Sequence, residues 1–555
     1  MSRSGLLTFA LLALSQGAIA QSPPSAGGQM QQIPPAPIPQ RAVPEMRIEQ
    51  SGVPAVPATD NVRIPVNSLH VTGQALYSEA ELVAITGFIP GGELTLSELR
   101  GMASRIADYY HKTGYIVAQA YLPAQDIKDG SVTIAVIEGR YGEIILRNQT
   151  NLSDPLANGL LAGLNSGDAI ALAPLENRLL LLSDIPGVNV GSTLRPGAEA
   201  GTSDLIVDVT PGRSVSGDVE ADNAGNRYTG QNRVGATVNI NNPLGHGDVA
   251  SLRVLTSGSG LNYGRASYQT QLGKATAGVA YSALNYRLGE EFASLRAHGT
   301  AEIASVYGSY PLMRSRNSNV NAMLEFDART FQDKVDLTSS VTDKKADVLM
   351  AGLHGSHRDG FGGGGVSSFS LIESLGDLDI ITPVARADDA ATARTNGGYQ
   401  KLAFSVARLQ SVTDRISLYG AIYGQIASKN LDISEKMGLG GMYAVRAYPV
   451  GEAYSDQGYI ATLEARLLLP KFSERVPGQF HLIGFADTGS GTINKNPWTT
   501  GTNHRTLSGA GIGVSWEDYN NFVVTAYWAH KLGGEVATSA PDKSGRFWIQ
   551  AVKYF

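Results

Sequence analysis

The sequence predicts two small α+β domains followed by an all-β transmembrane barrel of about 16 antiparallel strands. Three observations carry this reading. The chain opens on a secretory-type leader and has no later apolar run of helical membrane length. Two β-α-α-β-β patterns follow one another between residues 62 and 212. From about residue 213 onward, helical periodicity gives way to short alternating segments separated by Gly, Asn and Asp turns.

Composition narrows the class. The chain has 555 residues, room for several domains, and a mild net charge of -6 that points away from a nucleic-acid partner. It contains no Cys, so it needs no disulfides and offers no thiol chemistry. Mean hydropathy is near zero, too polar for a helical membrane protein. Membrane insertion must then use a closed barrel, the other spanning form that satisfies its own backbone.

Residues 1–20 read as a signal peptide, with Arg3, the apolar stretch Leu6 to Leu14, and Ala18-Ile19-Ala20 before Gln21. Residues 21–61 form a Pro-rich periplasmic linker, densest at Pro34-Pro35-Ala36-Pro37-Ile38-Pro39, with room for a short helix from Met46 to Gln50. Residues 62–139 form the first small domain. Its elements are a strand from Ile64 to Val71, a helix opening at Ser78 with Glu81 in capping-box position, and a helix from Leu96 to His111. Strands Tyr115 to Leu122 and Ser131 to Glu138 complete it. Residues 140–212 repeat the plan, with strands from Glu143 to Asn148, Gly191 to Pro196 and Asp204 to Thr210. Its helices run from Asp154 to Leu164 and from Pro174 to Ser183.

Residues 213–555 are the barrel. Segments such as Val234 to Ile240, Ile416 to Ile426, Gln479 to Phe485 and Phe522 to Trp528 alternate as a wall between lipid and lumen requires. The last segment, Phe547 to Phe555, suits barrel closure with an aromatic at the membrane boundary. Two motifs stand out within this region. Gly440 to Tyr448 places a lone Arg446 on a glycine-rich loop, and Gly484 to Gly489 places a lone Asp487 inside a strand. The two types invite a bidentate ion pair that would pin a loop to the inner wall. From spacing alone, a solvated Arg446 and an ordinary lumen-facing Asp487 fit at least as well. Catalytic patterns are missing. No Ser nucleophile elbow or phosphate-cradling loop stands out, and His354 and His357 have no third ligand in view. The expectation is no enzyme, no metal and no cofactor.

The motifs converge on a known family. Tyr109-Tyr110, Gly114-Tyr115 and Ala120 to Gln125 in the first domain, Pro186-Gly187-Val188 and Leu194 to Gly197 in the second, and Asp222 to Gly225 and Asn242 to Asp248 at the barrel start carry the likeness. In that order and spacing, the chain resembles the outer-membrane transporters of two-partner secretion, the TpsB family. The resemblance implies two periplasmic POTRA domains, a 16-stranded barrel, and a sixth extracellular loop, near residues 434–456, folded into the lumen. It places the loop-tip motif on Val445, Arg446, Ala447 and Tyr448, and the wall motif on Gly484, Phe485, Asp487 and Gly489. Ala447 stands where the family has Gly; if that position needs a positive φ, Ala would cost about 1 kcal/mol.

The implied function is export, without ATP, of an unfolded secreted partner across the outer membrane of a Gram-negative bacterium. That partner would be a large exoprotein, β-helical, with an N-terminal secretion domain. The transporter would be a monomer surrounded by outer-membrane lipid. A barrel-assembly insertase and a passive porin are the alternatives; two small periplasmic domains favour secretion over both. Candidates for β-augmentation by substrate are Tyr115, Val117, Tyr121 and Leu122 in the first domain and Leu205 and Val207 in the second, though each alone also suits a core. Relatives carry a lumen-plugging helix before the linker. The prolines of residues 21–60 leave little room for a long one, so a short segment around Gln40 to Gln50 is the expected pore entrant.

Overall fold

The structure, a computed structural model, describes residues 23–37, 44–49 and 62–555. The leader lies outside the described residues, as does part of the linker. The linker contributes helix α1 (Ala26–Gln31) and strand β1 (Glu45–Ile48).

The first domain comprises β2 (Arg63–Val66), β3 (Ser68–Thr72), α2 (Glu79–Thr86), β4 (Gly92–Thr95), α3 (Leu96–Lys112), β5 (Gln119–Tyr121) and β6 (Ser131–Ile137). Sequence chemistry sets the helix ends. The Ser78 hydroxyl accepts from the Glu81 amide, and α2 stops at Gly87 in the left-handed region at φ 66°. Thr95 and Glu98 close a reciprocal capping box on α3. The buried face of α3, Leu99, Met102, Ile106 and Tyr110, packs on Leu69, Val71, Val132 and Ile134 of the sheet β3-β6-β5. The buried Glu138 carboxylate accepts from the Ala75 and Leu76 amides at 2.6 and 2.7 Å and from the Tyr110 hydroxyl at 3.0 Å. Burial, then that bond, holds the Tyr110 phenol well above its ordinary range.

The expected strand from Tyr115 to Leu122 is cut to three residues. The Tyr115 amide donates to the Tyr110 carbonyl and the Ala118 amide to that of Tyr115, so this stretch closes the end of α3 instead. Gly114, at φ 99°, makes that reversal.

The second domain comprises β7 (Arg140–Asn148), α4 (Asp154–Leu161), α5 (Leu172–Ser183), β8 (Val188–Pro196) and β9 (Thr202–Pro211). Its sheet runs β1-β8-β9-β7, so the linker supplies an edge strand. The expected helix at Met46 to Gln50 is therefore replaced by β1, which lies parallel to β8 and turns Met46 onto the domain core. A few residues gain little as an isolated helix, whereas the open backbone of β8 offers a ready ladder.

The barrel closes as 16 antiparallel strands, from Val215–Asp222 to Gly545–Tyr554, with Asp218 beside Tyr554 at the seam. Phe555 and Gly217 exchange backbone hydrogen bonds of 3.1 Å in both directions there. Lipid-facing positions carry Val234, Leu252, Ile512 and Trp528, while Glu220, Arg253, Asp327 and Arg329 face the lumen. Phe480, Trp516 and Phe522 form an aromatic belt at the periplasmic end; the Phe480 and Trp516 rings stack at 5.4 Å. Among the described residues no helix is long and apolar enough to cross a membrane.

The second domain docks on the periplasmic rim at two places. Asn151 and Asn242 hydrogen-bond reciprocally at 2.8 and 2.9 Å, and the Ser153 amide donates to Gly245 O at 2.8 Å. On another turn, Arg314 grips Asp184 bidentately at 2.7 and 2.9 Å, and Arg316 meets Glu176 at 2.6 Å.

The lumen holds α1 as well as the sixth loop. The Ala26 amide donates to Asp333 Oδ1 at 2.7 Å, Thr229 Oγ1 to Gln29 Oε1 at 2.8 Å, and Gln32 Nε2 to the Tyr454 hydroxyl at 2.5 Å. A Cβ on Gly27 would lie 2.6 Å from Ser434 Cβ, so helix and loop meet through a missing side chain. The pore entrant is thus α1 and not the segment from Gln40 to Gln50. Of that segment, residues 44–49 lie on the second domain and the rest is outside the described residues. The prolines bracket α1 rather than forbid it, since Pro24 precedes its cap and Pro34 follows its end.

Candidate functional site, an arginine locked to the barrel wall

The sixth loop joins strands Ile416–Ala427 and Gln457–Leu468. Its stem pairs Met437 with Ser455 through bonds of 2.9 and 2.8 Å. Its tip turns tightly: Val445 N donates to Leu439 O at 3.0 Å, and Tyr448 N to Val445 O at 3.0 Å. The positive φ in this turn, 125°, falls on Gly441. Ala447 has a negative φ, so the methyl in place of the family's Gly carries no left-handed penalty. That methyl fills room left by the wall, where a Cβ on Gly509 would lie 2.4 Å from Ala447 Cβ. Gly489 likewise makes room for Val445.

The turn delivers Arg446 to a pocket of opposite charge. Its Nε and Nη2 donate to the two Asp487 oxygens at 2.9 and 2.7 Å, and its backbone amide donates to Oδ2 at 3.1 Å. Its Nη1 donates to Glu464 Oε1 at 2.7 Å. The guanidinium lies 3.5 Å from the Phe485 ring centroid and 4.8 Å from that of Tyr527. Thr462 steadies Asp487 at 3.0 Å, Arg466 neutralises the far oxygen of Glu464 at 2.7 Å, and Trp548 Nε1 donates to the Arg446 carbonyl at 2.7 Å. Arg446, Asp487 and Glu464 are each under 5% exposed. Two guanidinium and two carboxylate charges balance, and every strong donor of Arg446 named here has a partner. Removing one partner of such a buried pair costs about 3–5 kcal/mol, because the other charge stays behind.

Of the sequence-derived site residues, the structure brings Val445, Arg446, Ala447, Phe485, Asp487 and Gly489 together, with Tyr448 anchored beside them through its hydroxyl to Glu535 O at 3.1 Å. Gly484 points outward, since strand alternation puts Phe485 and Asp487 inside. Sequence reasoning missed Glu464. It also missed the acidic residues that tie the loop elsewhere. Glu435 pairs with Arg329 and Lys401, Asp432 with Lys344, and Glu452 with Arg505 and the amides of Thr538 and Ser539. The acidic content of the loop was visible; its partners lie on distant strands, 106 residues away for Glu435 and Arg329.

The substrate-binding candidates divide. Tyr121 is 46% exposed on the short edge strand β5. Tyr115 packs edge-on against Tyr77 and Tyr110, Leu122 against the first core, and Val117 against the core of the second domain. Leu205 and Val207 are fully buried on β9, a strand paired on both sides, and are excluded as contacts in the folded domain. Their apolar alternation records a sheet interior, not an open edge. His354 and His357 sit an odd number of residues apart on one strand and so face opposite sides of the wall.

With this geometry in place, comparison with known proteins is direct. Residues 201–516 match the family model for haemolysin secretion/activation proteins of the ShlB/FhaC/HecB type, and residues 64–139 match the ShlB-type POTRA domain. The chain is 30% identical over 487 residues to the heme/hemopexin transporter protein HuxB of Haemophilus influenzae strain 86-028NP, covering 86% of this chain and 84% of that one. It is 24% identical over 366 residues to the outer membrane transporter CdiB of Dickeya dadantii strain 3937, covering 64% and 63%. In fold it is similar to CdiB from Escherichia coli, with a TM-score of 0.67 at 20% identity over 91% of this chain and 92% of that one. Two periplasmic domains, a closed barrel and a sequence match over more than half its length lead to one conclusion: the chain belongs to the haemolysin secretion/activation (ShlB/FhaC/HecB) family, the TpsB outer-membrane transporters of two-partner secretion, with its barrel in the outer membrane and its N-terminal domains in the periplasm.

Proposed function

We propose that this chain carries one large secreted exoprotein, recognised through an N-terminal secretion domain, and that it works as a non-catalytic monomer. One relative is named a heme/hemopexin transporter and others outer membrane transporters, and a passenger of β-helical shape suits folding outside as the bias for outward movement. The observation that carries the reading is the state of the lumen. α1 and the sixth loop occupy it: the loop tip is seated on an apolar stretch of wall and locked through Arg446, whereas α1, six residues long, is held by a small apolar contact at Ala26 and by single hydrogen bonds from Ala26 and Gln32. A passing chain requires α1 to leave, while the Arg446 lock keeps the loop seated as a fixed guide on the wall.

The test is secretion of the passenger by Arg446→Ala, Asp487→Ala and the charge-swapped double variant, with barrel folding followed by heat-modifiable mobility. Folded singles that do not secrete, with recovery in the swap, support the lock. Normal secretion by both singles removes it from the mechanism.

A further inference from the structure

The outward face of the barrel carries a row of basic side chains near its extracellular end. Cross-strand register sets Arg287, His298 and Lys334 side by side on the strands Ala275–Arg287, Ala297–Arg314 and Ser318–Val335. All three point away from the lumen, because the residues next to them in the chain, Tyr286, Ala297 and Asp333, face α1. Directly opposed residues lie about 5 Å apart at Cβ, so Arg287 and Lys334 are about 10 Å apart across His298. His298 meets Asp336 at 3.2 Å. The Arg287 and Lys334 side chains have neither a hydrogen bond nor an ion pair among the described residues. Two unpaired cations this close repel each other, a cost that an anion between them would offset.

Height on the wall narrows what that anion is. Lower on the same strands, Val279, Val306, Phe326 and Leu349 form one exposed apolar row in contact with lipid. Tyr281 ends the apolar band, and above it Asn285, Thr300 and Gln332 form a polar row. Arg287 lies six residues beyond Tyr281. At the rise of a tilted barrel strand that is about 15 Å. The polar layer of an ordinary phospholipid leaflet is only about 5–8 Å deep. The row therefore stands above a glycerophosphate, at the depth reached by a phosphorylated sugar headgroup. Lipopolysaccharide, the glycolipid of the outer leaflet, has such a headgroup.

We propose that Arg287 and Lys334, with His298 between them, bind a phosphate on the sugar headgroup of outer-leaflet lipopolysaccharide. Arg287 presents a planar fork of donors and Lys334 a compact ammonium on a flexible stem, both suited to phosphate. The polar row beneath serves the sugar. Asn285 Oδ1 accepts from Asn262 at 3.2 Å and Gln332 Nε2 donates to Asp343 at 2.8 Å, which leaves the Asn285 amide nitrogen and the Gln332 carbonyl open to hydroxyl groups. A glycolipid held here fixes the height of this wall in the outer leaflet, whatever crosses the lumen.

The test uses the full chain folded in detergent, with bound lipid counted by native mass spectrometry. The probes are lipopolysaccharide with a phosphorylated core, the same glycolipid stripped of its core phosphates, and phosphatidylglycerol. Arg287→Gln/Lys334→Gln removes both charges and is expected to weaken binding of the phosphorylated glycolipid roughly tenfold. Stripping the phosphates is expected to bring the unmodified chain to the same level, and the double variant should not tell the two glycolipids apart. Heat-modifiable mobility checks that each form is folded; if the double variant does not fold, Lys334→Gln alone carries the comparison, with roughly threefold expected. Equal binding by the unmodified chain and the variant overturns the site. Equal binding of the phosphorylated and stripped glycolipids overturns phosphate as the group recognised. Displacement of the glycolipid by an equal concentration of phosphatidylglycerol overturns the assignment to lipopolysaccharide.

Discussion

The seat of the sixth loop depends on one methyl and one missing methyl. Adding a Cβ at Gly509 puts two carbons 2.4 Å apart, with the Ala447 backbone nitrogen 3.5 Å away and His530 O at 3.1 Å. Neither partner is the far end of a flexible side chain: one is a wall strand and the other a loop held by Arg446. Overpacking of this kind costs about 1–3 kcal/mol, which makes the unseated loop roughly 5- to 150-fold more populated. Gly509→Ala is therefore expected to speed hydrogen exchange at the amides of Val445 to Tyr448 by that factor and to expose the loop to added protease. Ala447→Gly in the same chain removes the 2.4 Å contact and leaves only the His530 carbonyl tight, so the double variant should return most of the protection. Ala447→Gly alone should change little. Unchanged exchange in Gly509→Ala, or no recovery in the double variant, would refute the close-packed seat.

Three further outcomes follow from the same geometry. Glu464→Gln keeps the shape of the lock but leaves two guanidinium groups facing one carboxylate, so loop protection should fall by about 1–3 kcal/mol, less than for Asp487→Ala; hydrogen exchange orders the two. Gly27→Leu cannot fit beside Ser434 and should drive α1 from the lumen, read as a rise in single-channel conductance in planar bilayers. In the first domain, the Thr95 amide and then its hydroxyl hold the Glu98 carboxyl below its ordinary value. Its contribution to α3 is thus full above about pH 4.5 and is lost as pH falls through the depressed folded value. A difference in helix content between wild type and Glu98→Gln, present at neutral pH and vanishing on acidification, checks this by circular dichroism.

Much of this architecture is legible because two solvents write it. Lipid on one face and a polar lumen on the other force alternation on every barrel strand, so the strand segments and the inward sense of Asp487 can be read directly. Ser78 and Thr95 mark helix starts by local chemistry alone. What escapes is set by distant backbone. α1 has only six residues, too few for a period, and its burial depends on Ser434 and Asp333 hundreds of residues away. β1 carries no strand signal of its own and is shaped by the free edge of β8. Tyr115 reads as strand until α3 needs closing, and Glu464 reads as one more lumen charge until Arg446 reaches it.

The parallel sense of β1 on β8 also sets a direction. β8 starts beside the barrel rim, where Gly187 packs against Asn241, and runs away from it. Any strand held in β1's sense has its N-terminal flank nearest the pore. That edge therefore fixes polarity as well as position: the strand it holds presents its N-terminal flank to the barrel entrance.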